Sequence, residues 1–138
     1  MIEARVRWQG GMRFTGGVDH GRGVLMALKP EVGIKPMQLF LIGLGGCIGM
    51  TVASILRKMG MGFDRYEIAL RGEQLEKPPR IFTKIEIEHK FWGDGITKGK
   101  IEQGIKLARK YCPITNMVEQ AVKIEHKYEI YPNMKVIE

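Results

Sequence analysis

The sequence predicts a single α+β domain over residues 1–138, with its elements in the order β-β-β-α-β-β-α-α-β. Three observations carry that reading. Apolar and charged residues alternate through four separated stretches, the period of half-buried strands. An uncharged run of 21 residues, Pro36 to Leu56, lies between the first and second stretches, and apolar residues recur at helical spacing between the third and fourth. The 138 residues suffice for a core without disulfide staples, and a composition 44 % hydrophobic and 27 % charged excludes a disordered chain.

Each element follows from local chemistry. Ile2, Ala4, Val6 and Trp8 alternate with Glu3, Arg5, Arg7 and Gln9, and Gly10-Gly11 then signals a turn. Met12 to Thr15 reads as a returning strand, Gly16-Gly17 as a second turn and Gly23 to Leu28 as a third strand, giving a short antiparallel meander. After a loop from Lys29 to Pro36, the uncharged run predicts a helix from about Met37 to Lys58, with Gly60 and Gly62 as stop signals. Tyr66, Ile68 and Leu70 form a fourth strand, and Pro78-Pro79 breaks the chain. Ile81, Thr83, Ile85, Ile87, His89 and Phe91 line one face of a long strand that Gly93-Asp94-Gly95 ends. Thr97 is the expected N-cap of a helix whose stripe of Ile101, Ile105 and Ala108 reaches Cys112 on the buried side. Pro113 disfavours helical backbone at Cys112 and suits the first position of a new helix. Val122, Ile124, His126, Tyr128 and Ile130 supply the last strand.

The charge is +7, from 22 basic and 15 acidic residues. Residues 1–69 hold 9 basic and 5 acidic side chains and residues 70–138 hold 13 and 10, so the excess is spread evenly and marks no nucleic-acid tail. Ile42-Gly43-Leu44-Gly45-Gly46 is similar to the Ile-Gly-x-x-Gly core of a KH module, yet no Lys or Arg stands in it to meet phosphate. Gly21-Arg22-Gly23 is too short for a dinucleotide fingerprint. The uncharged run is long enough to cross a bilayer, but Gln38, Thr51, Ser54 and four glycines dilute it, so a central helix covered by a sheet and a second subunit is expected, with no membrane partner. The first residues show no secretory signal, and a reducing cytoplasm is the expected location.

Two cysteines, Cys47 and Cys112, carry the chemistry that the residues suggest. Two are too few for a secreted disulfide framework. Histidines 20, 89 and 126 show no i, i+4 pair and no Cys-x-x-Cys occurs, so no metal or other cofactor is expected. Gly45 and Gly46 beside Cys47 suggest close approach of another element to the thiol. Gly43, Leu44, Met50 and Thr51 are its neighbours one turn away, so a thiolate there needs a positive charge from elsewhere. Cys112 at a helix start, near Arg109 and Lys110, has local support as a thiolate. Together they suit a nucleophile and its resolving partner.

Lys35-Pro-Met-Gln-Leu-Phe-Leu-Ile-Gly-Leu-Gly-Gly-Cys47 with the helix that follows, and Ala108-Arg-Lys-Tyr-Cys-Pro-Ile-Thr-Asn116, resemble the two cysteine segments of the OsmC/Ohr family, the osmotically inducible and organic hydroperoxide resistance proteins. The resemblance implies an intertwined homodimer in which curved antiparallel sheets enclose two long central helices, with active sites shared between subunits. It implies that Cys47 is the peroxidatic nucleophile and that Cys112 condenses with its sulfenic acid to a disulfide, which a dithiol reduces. Organic hydroperoxides are the implied substrates, held in an apolar pocket to which Met37, Phe40 and Met50 are assigned. An arginine activates the thiolate in the family, and Arg13 is the candidate here. Peroxide-reducing members carry a glutamate ten residues before the first cysteine; Met37 stands there in this chain, as in the OsmC-like branch. That substitution keeps open a second expectation, a non-catalytic dimer that binds a small apolar or electrophilic molecule or serves as an interaction scaffold.

Overall fold

Residues 1–18 and 23–132 are described by the computed structural model. The chain divides into two compact units, Met1–Phe40 and Leu41–Glu138.

The first unit is an antiparallel meander of β1 (Arg5–Trp8), β2 (Phe14–Gly17) and β3 (Val24–Met26). Gly10 and Gly11 turn the chain at φ of +97° and +55°, and Trp8 Nε1 donates to the Gly11 carbonyl at 2.7 Å. Two expectations are corrected. Gly16-Gly17 is no turn, since β2 runs through it and pairs Gly16 with Val6 and Gly17 with Arg5. β1 is exposed throughout rather than half-buried, because nothing in this unit covers Val6 and Trp8.

Helix α1 (Pro36–Lys58) begins in the first unit and continues into the second. Pro36 occupies its first position and the Gln38 side chain accepts the Lys35 N–H at 2.9 Å, which together fix its start. Gly60, at φ +76°, ends it: Gly60 N–H bonds the Arg57 carbonyl and Met61 N–H reaches back to Leu56, both at 3.0 Å. Buried Met61 and Leu56 accompany that closure. The helix is long and apolar enough to cross a membrane, and 33 % of its apolar window is buried.

The remainder of the second unit holds β4 (Arg65–Gln74), β5 (Phe82–Trp92), α2 (Lys98–Tyr111), α3 (Pro113–Val118) and β6 (Lys123–Tyr131). β4 and β5 pair antiparallel, whereas β5 and β6 are parallel, so this sheet is mixed and not antiparallel as expected. The path through α2 and α3 returns β6 to run in the same direction beside β5. Alternation sorts the strands into two faces. Ile68, Leu70, Ile85, Ile87, Phe91 and Ile124 join the core with Leu44, Ile48, Val52 and Leu56 of α1 and Ile101, Ile105 and Ala108 of α2. The opposite face carries charge, with Lys84 paired to Glu86 and Glu125 and Lys90 to Glu88.

Candidate active site

Close helix-to-sheet packing sets the position of Cys47. A Cβ on Gly45 would stand 2.6 Å from Leu70 Cδ1, and one on Gly49 2.6 Å from Ile68 Cδ1, so α1 lies against β4 at a distance that larger residues prevent. Gly46, expected to share that role, has open space around it. Cys47 lies between the two close glycines in sequence and is half-buried, and its carbonyl accepts the Thr51 hydroxyl at 2.8 Å.

Cys112 is wholly buried where α2 gives way to α3. Its N–H still bonds Ala108 at 2.8 Å in helical fashion, but its ψ of 118° is extended, as the following proline dictates. A helix end of this kind leaves carbonyls without partners. The Asn116 side chain reaches back to two of them, Lys110 and Arg109, at 3.0 and 3.3 Å, and adds a bond at 2.8 Å to the Cys112 carbonyl, which also accepts the Asn116 backbone N–H at 3.1 Å. Asn116 therefore clamps the bend that presents Cys112.

The two thiols meet. Cys112 Sγ donates to Cys47 Sγ at 3.1 Å across 65 positions of sequence, and both are free. Burial pushes the Cys47 thiol above its ordinary range, and the Cys112 thiol reinforces the rise. Opposing both, the backbone N–H of Ile114, in the first turn of α3, hydrogen-bonds the Cys47 sulfur. The expectation that Cys47 has no basic residue one turn away on its helix holds, and this amide is the helping group that sequence reading missed. Pro113 was its only signal.

The other predicted site residues fall as follows. Met50, one turn beyond Cys47, is exposed and lines a groove of about 450 Å³ with Thr51, Ser54, Lys58 and Tyr111. Arg13, Met37 and Phe40 belong to the first unit. Arg13 is exposed in the β1–β2 turn, its N–H bonded to Gly10 and its carbonyl to Gln9, while Met37 and Phe40 are exposed on the first turns of α1.

A second cluster was not foreseen as a unit. Tyr66 OH lies 2.6 Å from His89 Nδ1, and His89 Nε2 lies 2.9 Å from His126 Nδ1, a line that crosses all three strands of the second sheet. Burial, then the neighbouring histidine, lowers His89 to about 3; burial, then Arg109, lowers His126 to about 4. Both rings are neutral at physiological pH. His20, with Gly21 and Arg22, lies outside the described residues, among which no group of three metal-ligating side chains occurs.

Comparison with known proteins matches this architecture throughout. The family model described as OsmC-like protein covers residues 29–127. The chain is 34 % identical over 131 residues to Protein YhfA of Escherichia coli K12, spanning 94 % of this chain and 98 % of that one. A solved hypothetical protein from Aquifex aeolicus superimposes with a TM-score of 0.86 at 28 % identity, covering 96 % and 97 % of the two chains. The organic hydroperoxide resistance protein OhrB of Bacillus subtilis shares the fold, with a TM-score of 0.69 at 18 % identity over 93 % and 98 %. With both thiols in contact at the junction of α1, α2 and α3, on this fold and with these relatives, the chain belongs to the OsmC-like family.

Proposed function

We propose that the protein is a thiol-dependent peroxidase that reduces organic hydroperoxides in a reducing compartment. The observation that carries this reading is the 3.1 Å contact between two free thiols borne on separate helices. The Cys47 thiolate attacks the outer peroxide oxygen, the O–O bond breaks, and the departing alkoxide takes a proton to leave as alcohol. Cys47 is then a sulfenic acid. Cys112 attacks its sulfur, water departs, and the resulting disulfide is returned to two thiols by a dithiol. Contact between the thiols before reaction makes the second step a local one.

The working form is a homodimer. Ile42 and Met50 of α1 are 54 % and 78 % exposed, and the apolar face of β1 is uncovered, an extent of apolar surface that a second copy would bury. The proposed site is completed by Arg13 as the cation that lowers Cys47 against its burial, and by Met37, Phe40 and Met50 as the apolar wall for the organic group.

Purified protein mixed with cumene hydroperoxide and dithiothreitol tests this, with Cys47→Ser and Cys112→Ser in parallel. Wild type consumes peroxide and, without reductant, loses two hydrogens from its intact mass. Cys112→Ser halts at a sulfenic acid that dimedone traps. Wild-type turnover no faster than that of Cys47→Ser overturns the proposal. Two observations favour a second reading: burial raises the Cys47 thiol, and Met37 stands where peroxide-reducing members carry a glutamate. On that reading the dimer binds a small apolar or electrophilic molecule without turnover, and both thiols survive peroxide unchanged.

A further inference from the structure

The hydrogen-bonded line Tyr66–His89–His126 has an order that can be worked out by counting protons. Among the described residues, His89 Nδ1 is the partner of the Tyr66 hydroxyl, and His126 Nε2, at the far end, is buried with no partner. A neutral imidazole carries one N–H and one bare nitrogen. If Tyr66 donates to His89 Nδ1, then His89 donates from Nε2 to His126 Nδ1, and the single unpaired group is the His126 Nε2–H. If every bond runs the other way, both the phenolic O–H and the bare His126 Nε2 are unpaired. Buried polar groups left unpaired are disfavoured, so the first order is the resting one.

Oxidation of the phenol reverses that preference. A phenoxyl radical has no proton to donate and accepts a bond at its oxygen, so the second order then leaves only His126 Nε2 unpaired. The line thus has a matching arrangement for each redox state of Tyr66, and the two differ only by protons moved along bonds already formed. The ring itself is sheltered, half-buried and stacked on Phe91 at 4.3 Å between centroids, with Phe63 edge-on at 5.6 Å. Other tyrosines differ. Tyr128 donates to the Glu102 carboxylate and Tyr131 to that of Glu129, bonds at the exposed surface, and Tyr111 is itself exposed.

We infer that Tyr66 is a redox-active tyrosine that takes up one-electron oxidising equivalents, using His89 and His126 as its proton acceptors. The oxidant class is an alkoxyl or peroxyl radical. For an alkoxyl radical, one electron leaves Tyr66 and reduces the radical to alkoxide, which takes a proton from solvent and becomes alcohol. The phenolic proton crosses to His89 Nδ1, the His89 Nε2 proton crosses to His126 Nδ1, and His126 holds two protons. His126 then carries the positive charge that left the phenol, against the charge of Arg109, and the protons return along the same bonds when an electron returns to Tyr66. Neutral histidines are required at the start, and burial keeps both neutral. The inference stands apart from the peroxidase reading, since neither cysteine takes part.

The test is flash photo-oxidation of a Cys47→Ser, Cys112→Ser protein by a ruthenium polypyridyl complex with a sacrificial acceptor, read by electron paramagnetic resonance and transient absorption. A long-lived neutral tyrosyl radical is expected, forming more slowly in deuterated water. Tyr66→Phe keeps the ring stack and loses the signal. The triple variant Tyr111→Phe, Tyr128→Phe, Tyr131→Phe retains it, and His89→Leu loses the deuterium effect. A persistent signal in Tyr66→Phe, its absence from the triple variant, or a radical lodged on tryptophan in the parent protein overturns the inference.

Discussion

The two units differ most in what they bury. In the second, fourteen apolar residues form one continuous buried cluster, twelve from α1, α2 and the mixed sheet together with Met61 and Cys112. In the first, Ala27 is the buried apolar residue among those described, while Val6, Trp8, Met12 and Leu28 are each more than half exposed. A three-stranded meander needs an apolar face covered by something to be stable. The second unit supplies its own cover; the first leaves its apolar face uncovered.

The strongest way to break that contrast is to attack each side of it. Ile87→Ala in the second unit should lower unfolding stability by about 2–5 kcal/mol in urea titrations, whatever the protein concentration, because it opens a cavity in a closed core. Val6→Asp in the first unit should act through association instead, raising the dissociation constant of the proposed homodimer at least about tenfold, or about 1.4 kcal/mol, by analytical ultracentrifugation. Equal effects on dilute and concentrated samples would remove the distinction.

Acid should discriminate between the units as well. His89 and His126 sit at about 3 and about 4 in the folded second unit, below the ordinary histidine value of 6.5. The unfolded chain therefore binds more protons, and stability is full above about pH 6.5. It falls as pH drops from there toward the folded values, by at most about 1.4 kcal/mol per pH unit for each histidine. His89→Leu should flatten that slope in denaturant titrations at stepped pH. The smallest effect is expected at Asn116→Ala, which removes the side-chain bonds to the Arg109 and Lys110 carbonyls at the Cys112 bend: about 1 kcal/mol of stability, and slower disulfide closure after a peroxide pulse in stopped-flow mass analysis.

Much of this was legible from side-chain pattern. The alternation of Ile85 to Phe91, the stripe ending at Cys112, the Pro113 break and the Gly60 stop each follow from one local rule and stand in the structure, whereas Ile81 and Thr83, expected on the same face, are exposed and Phe82 is buried in their place, where a register shift at Glu73 and Gln74 breaks the period. What alternation does not encode is which strand lies next to which. It assigns Ile124, His126 and Tyr128 to one face but says nothing of their running parallel to β5, and so it hid the bonds between Tyr66, His89 and His126, which depend on that register. The site divides the same way. Two thiols were readable as a pair because cysteine is scarce; the Ile114 amide was not, since every residue but proline has one.

The 3.1 Å meeting of Cys47 and Cys112 bears on the unfolded chain as much as on chemistry. A bond between them would close a loop of 65 positions that contains β4, β5 and α2. Closing a loop of that size removes enough freedom from the denatured state to stabilise the fold by about 4 kcal/mol. Oxidation would then be written into the melting temperature, and a dithiol that reopens the bond would loosen the second unit as it resets the thiols.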